Sequence, residues 1–355
     1  MSGRQRLAVI CGGRSPEHEV SVTSARGVMR EADPERFEVV PFGITRGGAW
    51  LTPAETRQRV ARVEAGETRS LGEERGHGAF TYPAALAALA ECDVVFPIVH
   101  GTFGEDGTLQ GLLEMAELPY VGSGVAASAV GMDKELMRAV FARAGLPQPR
   151  YLVLRDAETR TLSDTTVRAL EGDLGYPCFV KPANGGSSVG VSKARSREDV
   201  GAALATAAAH DRKVLLEEAI EGRELECAVL GNADPRPSPL GEIRPHDEFY
   251  TYRAKYEDDR TDLIVPARVS ARVAAAVQEH ALRAYRAVDC AGLARVDFIM
   301  TAKEELRTLE VNTLPGFTPI SMYPRLWQEA GLSYRQLISR LVELALERFE
   351  ERRDA

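Results

Sequence analysis

The stretch from Ala294 to Ser321, A-R-V-D-F-I-M-T-A-K-E-E-L-R-T-L-E-V-N-T-L-P-G-F-T-P-I-S, carries the densest set of residues able to do chemistry. Its first part reads as two short strands, Ala294 to Met300 and Leu306 to Val311, joined by a polar turn at Thr301 to Glu305. Side chains alternate across a strand, so Arg295 and Asp297 share one face of the first strand, and Glu310 and Asn312 share one face of the second. If the register sets those faces together, two carboxylates and an amide oxygen converge. Such a donor set suits a hard cation such as Mg²⁺, which keeps several waters and bridges to substrate phosphates. Arg295 beside it would cover charge building up nearby. The chemistry described is phosphoryl transfer. A plainer reading, a hairpin with one solvated polar face, fits the same residues, and the stretch alone does not separate the two.

Other residues would complete such a site. Lys134 sits in the first turn of a helix read over Met132 to Ala144, where its charge opposes the helix dipole and argues for a role beyond helix stability. Lys181 ends a short strand, Cys178 to Lys181, and the loop P-A-N-G-G-S-S-V-G-V follows it. A loop of that composition exposes backbone N–H groups able to cradle phosphates. It matches neither G-x-x-x-x-G-K-[ST] nor G-x-G-x-x-G, and it would equally serve as a flexible hairpin loop. Glu217 to Ile220, after the strand K-V-L-L, offers extended backbone for an adenine, and Glu224 a carboxylate for ribose hydroxyls. Glu17, His18 and Glu19 follow G-G-R-S-P near a helix start, where capping and first-turn acids are the plain alternative. His100, Glu105 and Asp106 lie on a loop closing D-V-V-F-P-I-V-H, where a structural histidine is the plain alternative.

The elements that must position these residues follow from periodicity. Arg6 to Cys11, Phe37 to Ile44 and Asp93 to Val99 read as strands of an α/β unit, with helices at Ser21 to Arg30 and Pro83 to Leu89; ligands bind at the carboxyl ends of such strands. Thr56 to Tyr82 reads as a polar, Gly-rich irregular insertion. The turn cluster P-Y-V-G-S-G at Pro119 to Gly124 marks the first domain boundary. Beyond it come a helix at Glu198 to Ala208 and strands of a new sheet at Glu224 to Gly231 and Leu240 to Ile243. An amphipathic helix, Ser270 to Val288, reads as lying beneath the Arg295 hairpin, and a C-terminal helix, Tyr334 to Phe349, as packing outside. Phe249 to Tyr256 mixes aromatics and charge without alternation, which suits a lid.

The bulk numbers narrow the class. A chain of 355 residues suggests two or three domains. With 44% apolar and 27% charged residues it has the composition of a soluble protein. No stretch approaches the roughly 18 uninterrupted apolar residues of a membrane span. A net charge of −8 and a pI near 5.5 argue against a nucleic-acid partner. The five cysteines are scattered, odd in number and never spaced as C-x-x-C, so neither a disulfide framework nor a zinc site is indicated, and a reducing cytoplasm fits. The N-terminus runs into a strand without the pattern of a signal peptide.

Seven ordered blocks then form one pattern: G-G-R-S-P-E-H-E-V-S at Gly12 to Ser21, H-G-T-F-G-E-D-G at His100 to Gly107, M-D-K at Met132 to Lys134, V-K-P-A-N-G-G-S-S-V-G at Val180 to Gly190, A-K-Y at Ala254 to Tyr256, R-V-D at Arg295 to Asp297, and E-V-N-T-L-P-G-F-T at Glu310 to Thr318. On these blocks the chain resembles the D-alanine–D-alanine ligases of the ATP-grasp superfamily over nearly its whole length. The resemblance implies an α/β, three-domain ATP-grasp fold. Its parts would be an N-terminal Rossmann-like (pre-ATP-grasp) domain, 1–122, a central ATP-grasp subdomain, 123–217, and a C-terminal one, 218–355, with the lid and the metal site.

By the same resemblance, Lys134, Lys181, Gly186 and Ser188 would meet the ATP phosphates, Glu217, Glu218, Ile220 and Glu224 adenine and ribose, and Lys255 the nucleotide from the lid. Asp297, Glu310 and Asn312 would hold two Mg²⁺ ions, with Mn²⁺ able to stand in. Glu17 would hold the ammonium group of the first D-alanine, near His100. Ser321, Met322 and the backbone near Gly316 would position the second D-alanine and, with Arg295, the developing oxyanion. Tyr256 would bond to Ser187, which in turn reaches Glu17, latching the lid.

The implied activity is ATP-dependent joining of two D-alanines through an acyl phosphate, for peptidoglycan precursors, by a cytoplasmic homodimer. One departure is the 56–82 stretch, longer than in compact members of the family. A second reading is another ATP-grasp carboxylate–amine ligase, or a relative joining D-alanine to D-lactate, although the pair Lys255 and Tyr256 points to D-alanine as acceptor. A silent nucleotide-binding module would be expected to lack metal ligands or phosphate lysines, and none is missing.

Overall fold

The computed structural model describes residues 3–77, 82–159, 163–244 and 262–353, and the statements below concern those residues. They form three sheets. The first contains β1 (Gln5–Gly12), β2 (Phe37–Ile44), β3 (Trp50–Leu51) and β4 (Val94–Ile98) in the order β3-β2-β1-β4, with β1 parallel to both β2 and β4. β4 is buried throughout and β1 over its last six residues, the continuous apolar run that a parallel strand covered on both faces requires. Around them lie α1 (His18–Glu31), α2 (Pro53–Glu64), α3 (Pro83–Ala90) and α4 (Thr108–Met115). Gly12 ends β1 at φ 91°, and a Cβ there would lie 2.1 Å from the Ile44 carbonyl, so this turn admits only glycine.

The stretch expected to be an irregular insertion begins inside a helix. Thr52 and Glu55 form a capping box, Pro53 opens α2, and the helix runs to Glu64. Only Thr56 and Val60 are buried along it, so the sequence shows almost no apolar period to read. Beyond α2, buried Leu71 donates its N–H to His18 Nε2 at 3.0 Å, while His18 Nδ1 meets the Gly13 carbonyl at 2.8 Å. The stretch is thereby pinned to the glycine turn.

The second sheet is antiparallel, β5 (Tyr151–Arg155), β8 (Lys213–Glu218), β6 (Cys178–Pro182) and β7 (Ser192–Ala194) in that order. The helix Arg197–Ala208 packs on it through Val200, Ala203, Leu204 and Ala207. The third is also antiparallel, β11 (Asp262–Ile264), β10 (Arg236–Arg244), β9 (Arg223–Gly231), β12 (Gly292–Met300) and β13 (Leu306–Asn312). The helix Ala271–Val288 covers it with Val273, Val277, Ala281, Ala284 and Val288, one helical stripe.

Two helices differ from expectation. The segment Met132 to Ala144 is not one helix, because Asp133 is extended: it ends α5 (Val125–Met132) and caps α6 (Lys134–Arg143), accepting the N–H groups of Glu135 and Leu136. Both precede the second sheet in sequence, yet Ala127, Met137 and Phe141 enter the core of the third. The C-terminal helix, Tyr334–Arg353, does not pack outside. Its Leu337, Ile338, Leu341, Val342 and Leu344 are buried in one core with Leu7 and Phe96 of the first sheet and Ala228 and Leu293 of the third. That helix fills the seam between the two sheets.

Candidate active site

The register of the hairpin is the one the spacing asked for. Arg295 lies opposite Asn312 and Asp297 opposite Glu310, with a bulge just after Asp297. The four side chains therefore stand on one face. Arg295 grips Asp297 bidentately, both N···O distances being 2.7 Å, and Asn312 donates to Asp297 Oδ2 at 3.0 Å. β9 adds a third carboxylate, because Glu226 pairs in register with Asp297 and lies 3.2 Å from Arg295 Nε. Burial opposes charge on Arg295, but Asp297 and Glu226 outweigh it and raise the guanidinium well above its ordinary pKa.

The two lysines expected to meet phosphates, Lys134 and Lys181, approach from other elements. Lys134 donates to the Gly185 carbonyl at 2.6 Å and lies 3.9 Å from Glu310, so it spans the glycine loop and the hairpin. Ser187 and Ser188 in that loop adopt φ of 49° and 59°, left-handed values that serine tolerates poorly and that turn successive peptide units toward one side. Lys181 Nζ lies 2.7 Å from Glu217, whose other oxygen pairs with Arg138. Arg138 has no exposure, and it also donates to the Thr308 carbonyl of β13 at 2.9 Å. One buried cation thus ties α6, β8 and the hairpin. Burial favours protonated Glu217, but Arg138 and Lys181 outweigh it and hold that carboxyl below its ordinary pKa. Burial, with Arg138 and Lys134 nearby, lowers Lys181 against the pull of Glu217.

Of the nucleotide candidates, Glu218 spends its side chain on Arg150 at 2.7 Å, and its backbone N–H donates to the Arg150 carbonyl at 3.1 Å. Ile220 is half-buried just past β8, and Glu224 is half-buried on β9, two residues before Glu226 and on the same face.

On the other wall, Glu17 stands at the N-terminus of α1 and accepts a hydrogen bond from Ser187, so the glycine loop is docked onto it. Ser15 supports the turn, donating to the His100 carbonyl at 2.6 Å. Buried His100 meets Ser24 Oγ through Nε2 at 3.1 Å and, through Nδ1, Glu105 at 3.3 Å and the Leu314 carbonyl at 3.2 Å. Burial opposes charge on both members of the His100 and Glu105 pair. Contact with Glu105 outweighs burial and leaves the imidazole above its ordinary pKa, whereas burial, with Glu17 also close, outweighs the lowering effect of His100 and holds Glu105 above an ordinary carboxyl. Asp106 instead caps its own loop, accepting from the N–H groups of Phe103 and Thr108.

The loop after β13 closes the site. Phe317 is fully buried against Phe96 and Tyr334, with ring centroids 5.4 and 5.3 Å apart, and this fixes Gly316 beside it. Ser321 opens the helix Met322–Glu329 but turns its hydroxyl to Thr318 instead of capping that helix. Met322 lies along the wall with its side chain buried beneath Gly241. A cleft of about 1620 Å³ joins Glu17, Ser187, Arg295, Glu310, Gly316 and Ser321. Lys255 and Tyr256, and the lid expected at Phe249 to Tyr256, lie outside the described residues.

The family model described as D-ala D-ala ligase N-terminus matches residues 6–123, and that described as D-ala D-ala ligase C-terminus matches residues 140–343. The D-alanine--D-alanine ligase of Geobacillus thermodenitrificans is 47% identical over 354 residues, covering 98% of this chain and 97% of that protein. The chain belongs to the D-alanine–D-alanine ligase family. The D-alanine--D-alanine ligase of Bacillus velezensis is likewise 47% identical, over 96% of this chain and 98% of that protein. Among solved structures, the D-alanine-D-alanine ligase from Coxiella burnetii superposes with a TM-score of 0.83 at 33% identity, covering 99% and 96% of the two chains. VanG D-Ala:D-Ser ligase from Enterococcus faecalis superposes at 0.80 and 32% identity, covering 97% and 100%. The fold is the α/β ATP-grasp fold.

For a member of the D-alanine–D-alanine ligase family, which uses ATP and a divalent metal, the donors fit the ion's chemistry. Three carboxylates stand side by side on β9, β12 and β13 against one guanidinium, which leaves net negative charge facing the cleft. Among the described residues no three His, Cys, Asp or Glu side chains converge on one point. A hard divalent ion can be held by one or two carboxylates, with water and substrate phosphates completing its shell. The sequence reading missed Glu226 and Arg138. For Glu226 a signal existed, since R-E-L-E-C-A-V-L alternates and puts Glu224 and Glu226 on one face. For Arg138 there was none, because its partners lie 79 and 170 residues away.

Proposed function

We propose that this chain joins two D-alanine molecules to D-alanyl-D-alanine at the expense of ATP, for peptidoglycan precursors. The observation that carries the reading is the register that sets Arg295 against Asn312 and Asp297 against Glu310, with Lys134 3.9 Å from Glu310. Asp297, Glu310 and Asn312 would hold two Mg²⁺ ions, or Mn²⁺ in their place, and the metal would neutralise phosphate charge and orient the γ-phosphoryl group.

Glu17 holds the ammonium group of the first D-alanine and aims its carboxylate at the γ-phosphorus. A carboxylate oxygen attacks, the bond from that phosphorus to the oxygen of ADP breaks, and an acyl phosphate results. Lys134, Lys181 and Arg295 meet the charge that spreads over the transferred group. Gly186 and Ser188 lie over the phosphates, and the backbone of Glu217 to Ile220 with Glu224 takes adenine and ribose. The amine of the second D-alanine, placed by Ser321, Met322 and the Gly316 backbone near His100, then attacks the carbonyl carbon. Its nitrogen loses a proton and inorganic phosphate departs. Arg295 and the backbone at Gly316 face the oxyanion of that step. On the lid, Lys255 would reach the nucleotide and Tyr256 would bond to Ser187.

In this reading the three sheets are the cores of units 1–122, 123–217 and 218–355, and the working form is a cytoplasmic homodimer. Among the described residues no helix is long and apolar enough to cross a membrane. Light scattering on the purified 38.7 kDa chain tests for the dimer.

The deciding experiment is phosphate release from MgATP with D-alanine, L-alanine or no amino acid. Release dependent on D-alanine is expected; release indifferent to it overturns the assignment. Competition between D-alanine and D-lactate, with products separated chromatographically, is expected to give dipeptide at neutral pH. Dominant depsipeptide would overturn the acceptor and leave the ATP-grasp chemistry standing.

A further inference from the structure

Glu226 is 2% exposed, and its row continues through Asp297 to Glu310, three carboxylates on three adjacent strands. Like charges directly opposite one another destabilise a sheet, and a buried carboxylate is costly unless it is paired. Arg295 answers both problems at once. Its Nε lies 2.7 Å from Asp297 and 3.2 Å from Glu226, while its Nη2 holds the second oxygen of Asp297. The two carboxylates are not equivalent. Asp297 sits next to Glu310 and Asn312 at the metal corner, so a bound cation draws its lone pairs away from the guanidinium. Glu226 stands on the opposite side of Asp297, on β9, with Arg295 as its cationic partner.

We propose that Glu226 is a positioning residue for Arg295, holding the guanidinium over the transferred phosphoryl group once the metal has engaged Asp297. The proposal rests on the assignment of Asp297 as a metal ligand. Without Glu226, Arg295 keeps its place only while Asp297 is unoccupied, and the cation meant for the transition state swings away at the moment it is needed. The fixed distance matters because a displacement of about 1 Å in a reacting site costs on the order of a hundredfold in rate.

The test uses the full chain labelled with ¹⁵N-arginine. The side-chain Nε–H signal of Arg295 is assigned by its loss in Arg295→Lys and recorded with and without MgADP. The unmodified chain is expected to retain the signal in both states. Glu226→Gln is expected to retain it without metal and lose it to solvent exchange with MgADP. In kinetics, Glu226→Gln is expected to lower kcat about tenfold with little change in the KM for ATP. Glu226→Gln/Arg295→Lys is expected to be no slower than Arg295→Lys alone, since a residue acting through Arg295 has nothing left to act on. A signal that survives MgADP in Glu226→Gln overturns the proposal, as does a double variant whose losses multiply. Glu226→Asp, which keeps the charge but withdraws it by one methylene, should fall between, and it serves if the glutamine variant does not fold. D-alanine-dependent phosphate release by the unmodified chain is measured alongside. Its absence overturns the ligase assignment and this proposal together, whereas its presence with a surviving signal overturns the role of Glu226 alone.

Discussion

Ser187 donates a hydrogen bond to Glu17 across 170 residues of sequence, so the glycine loop of the second sheet is fastened to the start of α1 beside the first. The contact is tight at the neighbouring residue as well. A Cβ at Gly186 would lie 2.9 Å from Glu17 Oε2, closer than real side chains approach. Gly186→Ala is therefore expected to push Glu17 aside and raise the KM for D-alanine about tenfold, with a smaller effect on the KM for ATP. Initial rates with each substrate varied in turn check this. An unchanged KM for D-alanine would show that Glu17 is free to move.

Asp297→Asn and Glu310→Gln each keep size and hydrogen-bonding capacity while removing a charge from the proposed metal site. Turnover is expected to fall a hundredfold or more, the usual cost of losing charge stabilisation at a reacting phosphate, with the far-ultraviolet circular dichroism unchanged. Retention of more than about a tenth of the activity would argue against metal ligation.

Arg138→Met leaves Glu217 with Lys181 alone and strips the Thr308 carbonyl of its donor. Removing one member of a buried charge network costs about 3 kcal/mol, which urea denaturation would register. The same variant is expected to raise the KM for ATP, because Glu217 then holds Lys181 undivided. Lys181→Met, which leaves Glu217 paired with Arg138 and the Thr308 carbonyl with its donor, should cost less stability and lose more ATP binding. Equal profiles for the two variants would refute this division of labour.

Glu242 is 1% exposed on β10 and bonded to Arg223 at 2.6 and 2.9 Å, with Arg244 also in contact. The Arg223 hydrogen bonds, against the opposing effect of burial, hold its carboxyl below the ordinary 4.5. The folded state therefore releases this proton more readily than the unfolded one. Its stabilisation is complete above 4.5 and fades as pH falls through the lower folded value. Glu242→Gln should cost about 2 kcal/mol at neutral pH, with the gap closing only in acid. A gap constant with pH would mean that charge is not what holds Glu242.

How far the site was legible depended on how far apart its parts lie. Arg295, Asp297, Glu310 and Asn312 were readable because strand alternation fixes faces within one hairpin. The network around Glu217 was not, because Lys181 meets it through the β6–β8 pairing while Arg138 and Thr308 join it through packing of α6 against β13, both set by contacts distant in sequence. α2 was hidden by its exposure, since a helix burying Thr56 and Val60 alone leaves no periodic trace. The helix at 334–353 misled in the other direction. It was expected to pack outside, while its leucines reach two sheets at once.

That placement bears on the order of events during synthesis. β1 leaves the ribosome long before the helix Tyr334–Arg353, yet Leu7 and Leu341 belong to one apolar core. At about 5–20 residues per second, the first sheet waits some tens of seconds with its covering missing. Until then, the nascent N-terminal portion presents a bare apolar surface to chaperones and to other nascent chains.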